Sequence, residues 1–267
     1  MERAPLADKS IVIVGGTTGL GLSAARACVA AGASVLVVGR NPESAETAGQ
    51  ALGESGRFLV GDATRPETAE RAIEAARRSF GSFHGLYHVA GGSGRGHGDG
   101  PLHELTDEGW SFTLELNLTS LVYSNRAAVR HLLRQGTGGS ILNMGSVLGY
   151  SPSPRHFPTH AYAAAKSAVV GLTRASAAYY ASQRIRFNVL ALALTRTPMA
   201  QRVDSDPQIL DFIRSKQPLD GGRIGEPEDA DAAVVFFLSD ASRFVTGQLL
   251  AVDGGWSVSD GSATEAP

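Results

Sequence analysis

The 267-residue chain contains one cysteine. No internal disulfide can form, which excludes a cross-linked framework as its source of stability. That residue, Cys28, falls in an alanine-rich stretch and reads as a small core side chain. No apolar run is long enough to span a bilayer, and the start shows no secretory pattern, so a cytoplasmic location with no membrane partner is expected. A basic excess is also missing. Lys and Arg total 24 against 26 Asp and Glu, leaving a net charge of −2 and no electrostatic footprint for nucleic acid.

What is present is 43% apolar residues, 19% charged residues and 32 glycines. That balance is ordinary for a soluble enzyme able to bury a large core. Apolar runs at 11–14, 35–38, 58–60, 86–89, 140–143, 185–190 and 248–252 read as seven strands. Alanine-rich or amphipathic segments at 45–52, 67–80, 105–135, 161–181 and 228–239 separate most of them and read as helices. The alternation predicts an α/β, doubly wound Rossmann fold: a mostly parallel sheet with helices on both faces. Thr64 and Glu67 have capping-box spacing. Residues 92–101 read as a flexible glycine-rich loop, 151–158 as a proline-rich loop and 258–267 as a flexible tail after a single domain at 1–257.

The first strand-like run leads into Gly15-Gly16-Thr17-Thr18-Gly19-Leu20-Gly21 and then a helix-like segment. The spacing is G-x-x-x-G-x-G rather than the commoner G-x-G-x-x-G. Glycines there allow a sharp turn and close approach by a ligand, and the helix start presents N–H groups and a positive dipole end to an anion. Further on, Tyr162 and Lys166 stand four apart in the run YAAAK. On a helix they share a face one turn apart. An ammonium beside a phenol stabilises the phenolate, and the tyrosine then becomes a usable proton donor near neutral pH.

Together these motifs resemble the short-chain dehydrogenase/reductases, over about residues 6–256. The glycine turn is that family's pattern, and YAAAK is its Tyr-x-x-x-Lys. Ser146 in ILNMGSVLG stands where the family places a catalytic serine. Asn117 in LELNLTS matches its helix asparagine, and Asp62 in VGDAT its aspartate beside the adenine, followed by Ala63. The resemblance implies that Tyr162 exchanges a proton with the substrate oxygen while Lys166 lowers its pKa and bonds the nicotinamide ribose. It implies that Ser146 holds the substrate oxygen and that Asn117 holds a relay water. Taken singly, Ser146 also suits a turn, Asn117 a backbone-bonded helix position and Asp62 a helix-approach cap.

Four positions depart from the pattern. Val14 stands where a threonine often ties down the glycine turn. His88-Val89-Ala90-Gly91 replaces Asn-Asn-Ala-Gly, leaving Ala90 and Gly91 for close cofactor approach. Leu192-Ala193 replaces Pro-Gly, which at positive φ would cost an alanine about 1–2 kcal/mol, so another backbone path is expected. Ser146 and Tyr162 are sixteen apart, with the added residues expected to border the substrate pocket. Thr197-Pro198-Met199 keeps the threonine that bonds the carboxamide. No metal is expected: on one strand His84 and His88 would lie roughly 13 Å apart, and His156 and His160 lack a third ligand.

Cofactor choice turns on Gly39-Arg40-Asn41. Gly39 supplies no carboxylate for a ribose diol, and Arg40 offers a guanidinium to a 2′-phosphate, which favours NADP(H) over NAD(H). The expectation is an NADP(H)-dependent oxidoreductase interconverting a carbonyl and a secondary alcohol. Acyl-carrier-protein, polyketide, sugar and steroid substrates all remain open. The alternative is a nucleotide-binding scaffold or sensor of the same fold. Small residues Ala163, Ala164, Ala165, Ala168 and Gly171 in the 161–181 helix suit helix pairing in a homotetramer or homodimer.

Overall fold

The computed structural model describes residues 3–197 and 206–262. Seven strands form one sheet in the order β3-β2-β1-β4-β5-β6-β7. They are β1 (Ser10–Val14), β2 (Ser34–Gly39), β3 (Gly56–Val60), β4 (Gly85–His88), β5 (Gly139–Met144), β6 (Ile185–Leu192) and β7 (Leu249–Val252). All six pairings are parallel. β1 shows why the sheet is layered. Ile11 and Ile13 enter one core with Cys28, while Val12 and Val14 enter the other, because successive strand side chains point to opposite faces.

On the first face lie helices α1 (Gly19–Ala30) and α8 (Asp231–Leu238), through Ala24, Ala25, Val234 and Phe237. On the second lie α3 (Pro66–Phe80) and α5 (Ser120–Gln135), through Ala72, Ile73, Ala128 and Leu132. Helix α2 is Pro42–Ala51, α4 is Asp107–Leu114, α6 is His160–Tyr180 and α7 is Pro207–Lys216. The strand order reverses between β1 and β4, which opens a crevice at the carboxyl ends of the strands.

Several local readings change. The 105–135 segment is not one helix: α4 and α5 are joined by a widened π turn, Glu115–Thr119, which contains Asn117. Thr64 and Glu67 form no capping box. Helix α3 starts behind Arg65 with Pro66 in its first turn, and Thr64 Oγ1 donates to Asp62 instead. Helix α7, with Asp206 capping Gln208 and Ile209, was not anticipated. Neither residue of Leu192-Ala193 has positive φ; among the described non-glycine residues only Asp8, Arg184 and Asp220 do. The strained alanine therefore does not arise. Residues 92–101 are packed rather than loose: a Cβ on Gly94 would lie 1.7 Å from Thr113 Oγ1, and His97 stacks on Phe112. At the C-terminal end, Ser259 Oγ donates to Ser215 O on α7.

Candidate active site

The crevice holds two clefts that share Leu20, Val89, Gly91 and Thr197. The larger, about 840 Å³, follows the β1–α1 turn. Gly15 has φ +88°, and a Cβ there would lie 2.6 Å from Ala90 N, so the turn and the exit of β4 touch through bare backbone. A Cβ on Gly21 would lie 2.1 Å from Gly15 O. Thr18, the N-cap of α1, makes no side-chain bond to the turn. A helix start left open behind a glycine cradle is built to receive a phosphate. Thr17, Gly19, Ala63, Ala90 and Thr197 also line this cleft. Pro198 and Met199 lie outside the described residues.

At its far end stand Arg40 and Asp62. Asp62 accepts from Thr64 N at 3.0 Å and Thr64 Oγ1 at 2.9 Å. Against the upward push of burial, these bonds and the charges of Arg40 and Arg65 hold its carboxyl below the usual carboxylate range. Gly39 ends β2, and its bareness has a reason beyond the missing carboxylate. A Cβ there would lie 2.2 Å from Thr17 Oγ1 and 2.9 Å from Thr17 Cβ. Thr17 occupies the space that a side chain at position 39 would need. These residues fit a nicotinamide dinucleotide: a phosphate cradle, a basic group at the adenosine end and an open path to the second cleft.

The second cleft, about 210 Å³, is lined by Asn117, Ser146, Tyr162 and Lys166. β5 delivers Ser146 just past its end, and α6 presents Tyr162 and Lys166 one turn apart. Lys166 Nζ lies 5.5 Å from the centre of the Tyr162 ring and donates to Met144 O at 3.0 Å. Burial pulls the Lys166 ammonium down to about 8. Burial pushes the Tyr162 phenol above its usual range, with only its interaction with Ser146 opposing. The net direction is upward, opposite to the lowering expected from Lys166. Asn117 is fully buried. Its amide accepts from Gly92 N at 3.1 Å and donates to Gly92 O at 2.9 Å and Thr113 O at 3.0 Å. Gly91 passes so near that a Cβ would lie 2.7 Å from Asn117 Oδ1 and 3.6 Å from Lys166 Nζ.

His88, at the asparagine position, is buried between two serines of α5. Its ring meets Ser124 Oγ at 3.0 Å and Ser120 Oγ at 3.3 Å. Burial, then the charge of Lys166, pushes its pKa down to about 3, so it is a neutral stitch between β4 and α5. His84 accepts from Ser10 N, and His156 packs on Phe212. Glu70, Glu74 and His131 are the one group of three metal-capable side chains among the described residues; none of them lines either cleft.

Arg95, Leu194 and Trp256 also line the wall, and nothing in the sequence singled them out. Phe157 belongs to the longer 151–158 loop, which does border the cleft. Trp256 is buried, donates from Nε1 to Ser151 O at 3.1 Å and packs on Phe157 and Phe212. Arg95 donates to His156 O at 3.0 Å and lies over the Phe157 ring.

Residues 14–257 match the family model described as enoyl-(acyl carrier protein) reductase. The chain is 35% identical to a 2,5-dichloro-2,5-cyclohexadiene-1,4-diol dehydrogenase of Sphingobium indicum, across 94% of this chain and 98% of that one. It is 37% identical to an inactive 2-(S)-hydroxypropyl-CoM dehydrogenase 2 of Xanthobacter autotrophicus, across 86% of this chain and 98% of that one. A solved short-chain type dehydrogenase/reductase from Mycobacterium ulcerans superposes with a TM-score of 0.87 at 33% identity, covering 95% of this chain and 91% of that one.

Proposed function

The chain belongs to the short-chain dehydrogenase/reductase family and is an NAD(P)-dependent oxidoreductase acting between alcohol and carbonyl; we propose that it uses NADP(H) on a small cyclic secondary alcohol or its ketone. The observation that carries the reading is the meeting of Ser146, Tyr162 and Lys166 at one cleft that opens directly onto the phosphate cradle. Val147, Phe157, Leu194 and Trp256 make most of that cleft's wall apolar, which suits a compact ring substrate.

A nicotinamide dinucleotide would be held in the larger cleft by the Gly15–Gly21 turn, Arg40 and Asp62, and would supply or accept the hydride. Tyr162 Oη gives its proton to the carbonyl oxygen in reduction and takes the hydroxyl proton in oxidation. Ser146 Oγ donates a hydrogen bond to that oxygen as negative charge develops. Lys166 stabilises the phenolate that remains, and a pKa near 8 leaves it charged at neutral pH. Asn117 anchors the Gly91-Gly92 backbone beside Lys166. A non-catalytic nucleotide-binding role is the second reading, favoured by the inactive relative; the intact Ser146, Tyr162, Lys166 and Asn117 weigh against it.

NADP(H) preference rests on Arg40. Arg40→Ala is expected to weaken NADPH and leave NADH nearly untouched, reducing the preference roughly 10- to 100-fold, the scale of a lost charge-assisted bond. Added salt acts the same way on the wild type by screening an exposed contact. Gly39→Asp alone is expected to misfold the turn rather than switch the cofactor, since its Cβ meets Thr17. With Thr17→Gly and Arg40→Ala added, it favours NADH. The kcat/KM ratio for the two cofactors checks each variant, and equal loss of both in Arg40→Ala removes Arg40 as the discriminator.

We further propose a homotetramer or homodimer. On α6, Ala164, Ala168 and Gly171 are exposed and leave room for a second helix, whereas Ala165 is buried within the subunit. Sedimentation velocity at micromolar concentration is expected to show no monomer.

A further inference from the structure

Helix α6 carries both Tyr162 and Lys166, yet its own sequence does not cap it. Thr159, at the N-cap, makes no side-chain bond, and the first turn holds no acidic residue. The first four N–H groups of a helix have no intrahelical partner of their own and need one. Here Thr159 N reaches Phe157 O at 2.8 Å, and His160 N reaches Gly100 O at 3.2 Å. The next two go to one carboxylate: Ala161 N donates to Asp99 Oδ1 at 2.9 Å, and Tyr162 N to Asp99 Oδ2 at 3.0 Å. Asp99 is only 5% exposed. It comes from the β4–α4 connection, 63 residues away from Tyr162 in sequence.

We propose that Asp99 is a positioning residue for the reaction, a cap supplied across the cleft that fixes where α6 begins and hence where the Tyr162 hydroxyl stands. This rests on the proposed role of Tyr162 in proton transfer. Both oxygens of the carboxylate are used, one per N–H, so the helix end is held against rotation as well as translation. A negative group at a helix N-terminus also meets the positive end of the dipole. The segment that carries Asp99 is itself anchored. Gly92 is clamped by the Asn117 amide, and Asp99 N donates to Gly94 O at 3.1 Å. A Cβ on Gly109 would lie 2.6 Å from Asp99 N, so α4 presses on the same stretch. One short connection therefore ties the asparagine side of the site to the tyrosine side.

The test uses Asp99→Ala and Asp99→Asn in the full-length protein. Asparagine keeps one acceptor but turns an NH2 group toward the other N–H, so its effects should be intermediate. The first readout is amide exchange, which needs no turnover: Ala161 and Tyr162 should exchange roughly 10- to 100-fold faster in Asp99→Ala, the scale of lost bonds to a charged group. The second is the split of kinetic constants. The kcat should fall roughly 10- to 100-fold, as misplacement of a reacting group does, while the dissociation constant of NADPH stays within about threefold because its cradle is elsewhere. Unchanged exchange at Ala161 and Tyr162 overturns the cap, and unchanged kcat overturns the positioning role. A parallel loss of kcat and NADPH affinity in both variants marks general loosening and overturns it too. If Asp99→Ala fails to fold, Asp99→Asn decides by the same readouts. A wild type without turnover would instead refute the proposed reaction, and the exchange result would still decide the cap.

Discussion

Replacing Tyr162 by phenylalanine is expected to lower kcat by about 100-fold or more while NADPH binds nearly as before. The change removes one oxygen and leaves the ring, so the packing of α6 is kept. The phosphate cradle and Arg40 lie in the larger cleft and are untouched by the change, so cofactor affinity should hold. Around the lost hydroxyl, the other groups are poorly placed to supply the proton. Ser146 has a much weaker acid, and Lys166 is held by Met144 O. Steady-state kinetics with NADPH fluorescence titration separates the two effects. Retained turnover would remove Tyr162 from the mechanism.

Lys166→Met is expected to move activity and stability in opposite directions. Turnover should fall about 100-fold, since the phenolate loses its stabilising charge. The cofactor-free protein should nevertheless become more stable at pH 7. Lys166 is buried with the Met144 carbonyl as its hydrogen-bond acceptor, and its folded pKa of about 8 lies below the ordinary lysine value. Between those two values the unfolded chain binds more protons than the folded one, so stability rises with pH across that window. Below about 8 the full cost of the buried ammonium is present. Above about 10.5, the ordinary lysine value, it is gone. Removing it should therefore stabilise the protein by on the order of 1–3 kcal/mol at neutral pH, less the lost bond to Met144. The gain should shrink toward zero as pH climbs through the window. Thermal melts of both proteins at pH 7 and pH 10 check the sign, and a Lys166→Met protein less stable at pH 7 would contradict it. Such a trade of stability for function is common at active sites.

Local pattern made the frame legible. The apolar runs named every strand to within a few residues; β1, β2, β4, β5 and β6 are buried on both faces and need continuous apolar sequence, while the edge strands β3 and β7 are short apolar runs left partly exposed. The glycine turn and the Tyr-Lys pair could be read for the same reason: their parts are neighbours in sequence. What escaped depends on contacts across the chain. Asp99 sat in a stretch whose glycines looked like freedom, whereas Gly94 and Gly98 are bare because Thr113 and Thr106 press on them. Gly39 shows in the sequence only that a carboxylate is missing; that Thr17 forbids a side chain there needs the folded contact. Trp256 and Phe157 meet only when the C-terminal segment folds over the cleft. Helix α7 did leave a signal, Asp206-Pro207 ahead of Ile209 and Ile213, an N-cap followed by proline in the first turn.

The central claim is that this cleft turns over a secondary alcohol through Tyr162. The most direct measurement mixes the protein with NADP and a panel of small cyclic secondary alcohols and follows the absorbance of the reduced nicotinamide, with Tyr162→Phe run beside it. At least one alcohol should be oxidised by the wild type and not measurably by the variant. A protein that binds NADPH yet oxidises none of the alcohols and reduces none of the matching ketones, or a variant as active as the wild type, would contradict the account.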